Sequence, residues 1–221
     1  MEFGAVRVKT RTLAADMYYK NALVLKYTIN YPWFESPVFK MTKINEHYAA
    51  KAIAYQQYCE TSLYQSAAEE YDISVTNEYP VRMFESVVNY NVTYNRDCTL
   101  SLYFDRYEYT GGAHGMTVRY SDTWNLQDGR RIELGEIYPA YASEITDIII
   151  AEIATKMHSG EGWYFEDYEK NVAEYFNPQH FYLKSAGLVV YFQLYEIAPY
   201  ASGIPEFMIP YSDSVKRPRC Y

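Results

Sequence analysis

No stretch of this 221-residue chain approaches the eighteen or so consecutive apolar residues that cross a bilayer. Nor does its opening, Met1-Glu2-Phe3-Gly4, have the basic-then-apolar layout of a signal peptide. The chain is therefore read either as cytoplasmic or as separated from its anchor. Cysteine is scarce. Cys59, Cys98 and Cys220 form no CxxC pattern and leave at least one thiol unpaired, which excludes a disulfide framework and predicts buried small hydrophobes at Cys59 and Cys98. Basic residues are outnumbered: 20 Lys and Arg against 28 Asp and Glu leave a net charge of −8, which argues against a nucleic-acid partner and favours a cationic one. One basic cluster, Lys216, Arg217 and Arg219, reads as a solvated tail.

Metal and phosphate signatures are missing too. His47, His158 and His180 are scattered, without HExxH or His-x-His spacing, so no metal site and no cofactor is expected. Glu161, Glu166, Asp167 and Glu169 lack the calcium-loop spacing, and the last three read as the acidic start of a helix. No internal repeat or low-complexity linker interrupts the chain.

What the sequence has in excess is tyrosine, 27 residues against three tryptophans and ten phenylalanines. Tyrosine builds half-buried strand surfaces and also makes rigid contacts at interfaces, because its ring is apolar while its hydroxyl stays wet. With 49% hydrophobic and 22% charged residues, the chain has the composition of an ordered globular protein.

Periodicity supplies the elements. Val6 to Thr12 and Leu23 to Ile29 alternate as two strands turning at Asn21, and Pro32 and Pro37 close the second. Ile44, Tyr48, Ala52, Tyr55, Cys59 and Leu63 then recur at steps of four and three, the stripe of a helix from Met41 to about Glu70. Extended runs follow at 80–95, 98–109 and 116–126, each with one wet face. In the last, Met116, Val118, Tyr120 and Trp124 form the apolar side and Thr117, Arg119, Ser121 and Thr123 the polar one. Turns are placed at Asn95-Arg96-Asp97, at the glycine loop and at Asp128-Gly129, after which Ile132 and Leu134 lead into a short polar bend. Helices are expected at 141–158 and 164–176, and strands near 180–185, 187–196 and 206–210. Leu188 to Leu194 is apolar enough for a central strand buried on both faces. The result is an α+β fold, mainly antiparallel, with one long N-terminal helix and two later helices packed on one face. It divides softly near residue 75 into a strand-strand-helix module, 1–75, and a C-terminal module, 76–221, joined in one compact unit.

Gly111-Gly112-Ala113-His114-Gly115 is the most conspicuous local motif, because glycines around a histidine let the backbone turn tightly and present the ring. It lacks the GxxxxGK[ST] pattern, and a strand follows it where a phosphate loop needs a helix N-terminus. A hydrolase reading would pair His114 with Asp105, Glu108 or Asp122, with no recognisable triad signature. The plainer reading is a hairpin tip.

Tyr109-Thr110-Gly111-Gly112-Ala113-His114-Gly115, Trp124-Asn125-Leu126 with Asp128-Gly129, Gly187-Leu188-Val189-Val190-Tyr191-Phe192 and Glu196-Ile197-Ala198-Pro199-Tyr200-Ala201-Ser202-Gly203 together carry a resemblance. In that order they resemble the domain of unknown function shared by RsiV, the lysozyme-sensing anti-sigma factor, and by the non-catalytic N-terminal part of the peptidoglycan deacetylase PdaC. The match spans about 75–215, and residues 1–75 look like the module that often precedes it. The resemblance implies a non-catalytic, extracytoplasmic binding module of the bacterial cell envelope whose partner is lysozyme, another cationic protein or a cell-wall glycan. It maps partner binding onto Tyr109, Gly111, Gly112, His114, Pro199, Tyr200 and Gly203, two loops expected to pair into one recognition edge. The sigma-binding segment and the catalytic deacetylase domain have no counterpart in this sequence.

Overall fold

The computed structural model describes residues 4–220. It is α+β, with a six-stranded sheet ordered β1-β2-β3-β4-β5-β6 and a three-stranded sheet ordered β7-β8-β9. In chain order the elements are β1 (Arg7–Tyr19), β2 (Ala22–Glu35), α1 (Thr42–Tyr58), a π-helical stretch (Cys59–Leu63), α2 (Tyr64–Thr76), β3 (Phe84–Arg96), β4 (Thr99–Tyr109), β5 (Met116–Asn125), β6 (Arg130–Arg131), α3 (Leu134–Ile137), α4 (Tyr141–Ser159), α5 (Tyr168–Tyr175), β7 (Phe181–Leu183), β8 (Gly187–Tyr191), a 3₁₀ turn (Tyr200–Ser202) and β9 (Glu206–Pro210). Two compact units form from discontinuous stretches. A helix-hairpin unit comprises Val6–Tyr90 and Phe104–Val118. A two-sheet unit comprises Asn91–Tyr103, Arg119 to the C-terminus and the first residues of the chain.

In the helix-hairpin unit, β1 and β2 form an antiparallel hairpin in which Leu13, Ala15 and Met17 face Ile29, Tyr27 and Leu25. The turn is made by Lys20 and Asn21, both with positive φ, as the right-handed strand twist favours in a two-residue connection. The expected alternation in β2 holds from Leu25 to Ile29, with Leu25, Tyr27 and Ile29 buried, while Val24, on the opposite face, is buried as well. β1 is a largely exposed edge strand, and the ion pairs Lys9–Glu35 at 2.7 Å and Lys26–Asp16 at 3.5 Å decorate the hairpin with charge that discourages pairing with another chain. β2 then pairs parallel with β3, from Leu25 opposite Phe84 to Ile29 opposite Val88. A parallel pair needs a long crossover, and the helical segment Thr42–Thr76 provides it.

That segment is the long helix read from the stripe, with one correction: it starts at Thr42, behind a complete hairpin, and is not N-terminal. Ile44, Tyr48, Ala52, Cys59, Leu63 and Ala67 are all buried along it. Steps of four advance about 40° each around an ideal helix, so such a stripe drifts off the core. The π-helical stretch, with more residues per turn, takes up that drift and keeps Cys59 and Leu63 inward.

In the two-sheet unit, β8 is the central strand of its sheet, antiparallel to β7 and β9, and all five of its residues are buried, as the apolar run implied. The core here joins Leu134, Ile137, Ile145, Ile149, Ile153 and Val172 from the helices to Leu183, Leu188, Val190 and Phe207 from the small sheet. α4 ends where Gly160 adopts a left-handed conformation, φ 74°. The polar bend expected after Asp128-Gly129 is instead a helical turn, α3, closed by a capping box in which the Glu133 side chain accepts from the Glu136 backbone and Glu136 reaches back to Glu133. α5 begins at Tyr168, four residues later than its apolar spacing suggested, because Phe165 N–H is taken by the Ile197 carbonyl at 3.1 Å.

Two further expectations are overturned. Cys98 is not a small hydrophobe: it sits in the β3–β4 turn with Asp97, both at positive φ, and is disulfide-bonded to Cys220 across 122 residues of sequence. The chain segment around Lys216 is accordingly no free tail. Cys59 does behave as expected, buried as a free thiol whose pKa burial pushes up to about 11. The wet face assigned to 116–126 is also inverted in part: Met116 and Val118 are about 40% exposed, while Arg119, Asp122 and Thr123 are buried. Within the two-sheet unit these polar groups meet the small sheet. Ser101 Oγ bonds Thr123 Oγ1 at 2.8 Å and accepts from Leu183 N–H at 2.9 Å, and Ser121 Oγ donates to the Phe181 carbonyl.

Candidate functional site

The sequence-derived site residues fall on two loops, one in each unit. The glycine loop joins β4 to β5 in the helix-hairpin unit. Its shape is set by the backbone. Gly111 has φ 91°, a conformation costing an L-residue about 1–2 kcal/mol, and a Cβ on Gly115 would lie 2.3 Å from the Tyr107 ring. Gly112 carries neither constraint and is exposed. Arg82 donates to the Gly111 carbonyl and, at 2.9 Å, to that of Gly112, while the Tyr109 hydroxyl donates to the Gly112 carbonyl at 3.1 Å. His114 is exposed at the tip, its Nδ1 3.0 Å from the Gly115 carbonyl. The loop is thus a laced hairpin end that presents an imidazole.

Two of the three carboxylates offered as partners for His114, Glu108 and Asp122, have other engagements. Glu108 accepts from Tyr55 at 2.6 Å and Tyr58 at 3.1 Å, with Arg106 at 3.4 Å. Asp122 is buried and paired with Arg131 at 2.9 Å. Burial and the neighbouring Glu108 carboxylate raise the Tyr55 hydroxyl well above the ordinary phenol range, so it donates as a neutral group. Among the described residues no three His, Cys, Asp or Glu gather in an arrangement able to hold a metal ion.

The second loop belongs to the two-sheet unit. Pro199 fixes the approach, Tyr200 opens the 3₁₀ turn, and Gly203, with φ 71°, ends it. Gly203 N–H returns to the Tyr200 carbonyl at 3.0 Å and Ser202 N–H to that of Pro199 at 2.9 Å. Tyr200 packs on Tyr195, their ring centroids 5.7 Å apart, and Tyr195 holds a positive φ of 67° while 47% exposed. Ser202 Oγ bonds the Trp163 carbonyl at 2.9 Å, and the Trp163 side chain is 73% exposed, the highest value for any aromatic ring among the described residues. Glu196, half-buried and accepting from Gln193 N–H, has its carboxyl pKa raised by desolvation. Trp163 and Tyr195 were not among the sequence-derived site residues. The cue for Trp163 is its place in the Gly162-Trp163-Tyr164 run, a glycine-adjacent pair of aromatics between Glu161 and Glu166.

The chain is thus an α+β protein with a prolyl-tyrosyl turn to which solvent-facing aromatic rings are attached, and comparison with known proteins gives it relatives. Residues 19–117 match the family model Deacetylase PdaC, and residues 136–212 match Protein of unknown function (DUF3298), so the chain is similar to these two modules in succession, in agreement with the PdaC side of the resemblance read from its motifs. Over 112 residues it is 26% identical to the peptidoglycan-N-acetylmuramic acid deacetylase PdaC of Bacillus subtilis, covering 51% of this chain and 21% of that protein. The chain thus spans about a fifth of the length of that curated relative. A solved DUF3298 family member from Bacteroides fragilis shares the fold, with a TM-score of 0.71 at 18% identity over 99% of this chain and 96% of that one. A DUF3298 family protein from Pseudomonas aeruginosa PAO1 gives 0.57 at 17% identity, covering 93% and 91%.

Proposed function

We propose that this chain is a non-catalytic recognition module of the bacterial cell envelope that binds a cationic, lysozyme-like protein. The observation that carries this reading is the aromatic group at the Pro199–Gly203 turn. Tyr200 is held by Pro199, by the 3₁₀ turn and by Tyr195, so little side-chain freedom is lost when a partner closes over it. Trp and Tyr in such positions are the residue types that dominate interface energies. Three other features support it. The net charge of −8 speeds the approach of a cationic partner. The Cys98–Cys220 bridge suits an oxidising compartment outside the cytoplasm. Glu108 is bonded to Tyr55 and Tyr58, and Asp122 to Arg131, engagements that a structural role explains without hydrolytic chemistry. The printed name of the Bacillus relative, a peptidoglycan deacetylase, motivates a second reading in which the same rings stack on a wall glycan.

Isothermal titration of the intact chain with lysozyme and, separately, with soluble muropeptides tests both. Saturable heat with lysozyme, weakened tenfold or more by Tyr200→Ala or Trp163→Ala, is the expected result. Heat with muropeptides alone transfers the assignment to the glycan, and a folded protein silent toward both overturns the proposal. His114→Ala and Tyr109→Phe test the glycine loop by itself, and hydrolysis of either ligand abolished by His114→Ala would overturn the non-catalytic assignment.

A further inference from the structure

The segment after β9 was expected to be a solvated tail, yet it is fixed at nearly every second residue. Val215 is buried in the core of the two-sheet unit and Pro218 is buried as well. Lys216 N–H donates to the Ile137 carbonyl at 2.8 Å, Ser212 N–H to the Val215 carbonyl at 3.0 Å, and the Tyr211 hydroxyl to the Lys184 carbonyl at 3.0 Å. Cys220 closes the segment by its bond to Cys98. Between these anchors Lys216, Arg217 and Arg219 are exposed and, with Tyr211, Ser212 and Asp213, line an open cavity of about 530 Å³. The Arg217 guanidinium lies 5.0 Å from the Tyr211 ring centre and reaches the Ser185 carbonyl at 3.4 Å, which orients its donor edge.

Three cations gather at this one cavity, whereas many of those elsewhere are ion-paired. Lys9, Lys20, Lys26, Arg106, Arg119, Arg130, Arg131, Lys156 and Lys184 each pair with a carboxylate. Among the described residues no ion pair involves Lys216, Arg217 or Arg219, so three cations share a cavity whose lining supplies one carboxylate, Asp213. In a chain of net charge −8 this is a local excess of positive charge held in place by packing and a covalent bridge. Pre-positioned guanidinium and ammonium donors match the geometry of an oxyanion, and no ordering of the chain opposes binding.

We propose that this cavity is an oxyanion-binding site for a phosphate or carboxylate group on a small molecule or sugar, separate from the aromatic turn. Calorimetric titration of the oxidised full chain in low-salt, phosphate-free buffer tests it, with inorganic phosphate, glycerol phosphate and glucuronate as probes and sodium chloride at matched ionic strength as reference. Saturable binding of at least one probe is expected. Phosphate and glycerol phosphate alone would identify a phosphate ligand, glucuronate alone a carboxylated sugar, and all three a general oxyanion site. The triple variant Lys216→Gln, Arg217→Gln, Arg219→Gln should weaken binding at least tenfold, with circular dichroism and melting confirming its fold. Arg217→Lys, a milder change, should weaken it several-fold by losing the guanidinium fork. A control carrying Lys9→Gln, Lys20→Gln and Lys26→Gln loses the same formal charge and should bind normally. No probe binding beyond chloride, unchanged binding by the triple variant, or an equal loss in the control would each overturn the site.

Discussion

The two units of this chain solve the same problem, burying a polar-rich sequence, by opposite means. In the helix-hairpin unit the polar side chains buried among the described residues are uncharged, Asn45, Ser74 and Ser86, and charge is met at the margin, where tyrosine hydroxyls donate to carboxylates: Tyr27 to Glu60 at 2.6 Å, Tyr55 to Glu108 at 2.6 Å, Tyr19 to Asp72 at 3.0 Å. In the two-sheet unit charged and hydroxylated side chains are themselves buried. Arg119 is 8% exposed, pairs with Glu206, lies 3.9 Å from the Tyr103 ring centre, and its backbone exchanges two bonds with the Gln193 amide. The first unit keeps its charged groups at the margin, where bonds are individually replaceable, and the second includes charged internal ties whose loss strands a partner.

The disulfide is the strongest of those ties and gives the largest expected effect. Closing a loop of about 100 residues removes roughly 4.7 kcal/mol of unfolded-state entropy in the chain-entropy model, and Cys98 and Cys220 are 122 residues apart. Cys98→Ser with Cys220→Ser should therefore cost about 4–5 kcal/mol in urea unfolding. Reductant should lower the wild type to the same value and leave the double variant unmoved. A wild type indifferent to reductant would mean that the bridge does not form. Thiol titration gives an independent reading: one reactive group only after unfolding, that of buried Cys59.

Substituting one tie from each unit tests the contrast directly. Arg119→Met removes the cation from the Glu206 pair, and breaking a buried pair by deleting one partner costs about 3–5 kcal/mol. Glu206 is one-third exposed and keeps Lys184 at 3.5 Å, so the lower end, about 3 kcal/mol, is expected. In the helix-hairpin unit, Tyr55→Phe removes a hydroxyl bonded to the Glu108 carboxylate and to Ser86, worth about 2 kcal/mol for a charged acceptor. Tyr90→Phe, which removes only an exposed bond to Thr10, should fall within about 0.5 kcal/mol of wild type. If Tyr55→Phe proves as costly as Arg119→Met, the distinction between margin and interior ties fails.

The same contrast explains what could be read from the residues alone. Where burial is apolar, the alternation of Leu25, Tyr27 and Ile29 and the helical stripe from Ile44 to Leu63 give the elements and their inward faces. Alternation weighs polarity, so it assigned Arg119 and Thr123 to water. Arg119 meets Glu206, 87 residues further on, and Thr123 bonds Ser101, 22 residues back, and no local period carries that information. The disulfide was hidden for the same reason, since three widely spaced cysteines do not reveal which two turn toward each other. At the candidate site the loop motifs were legible because their glycines and proline are local backbone requirements. Trp163 was not, because only the Ser202 bond brings its backbone to the turn.

The smallest effect expected concerns pH and again separates the units. His180 in the two-sheet unit stacks on Tyr191, ring centroids 5.0 Å apart, and desolvation lowers its pKa below the ordinary 6.5. Between that depressed value and 6.5 the unfolded chain binds more protons than the folded one, so stability falls as pH drops through this window and is fully present above 6.5. Glu196, raised by desolvation, contributes in the opposite direction, losing stability as pH rises through its folded pKa from 4.5 upward. Subtracting a His180→Phe variant, which keeps the ring stack, isolates the histidine. Urea unfolding at pH 7.5 and pH 5.5 should show wild type losing more stability than the variant on acidification. Equal losses would mean that the half-buried His180 ring is not desolvated enough to couple its protonation to folding.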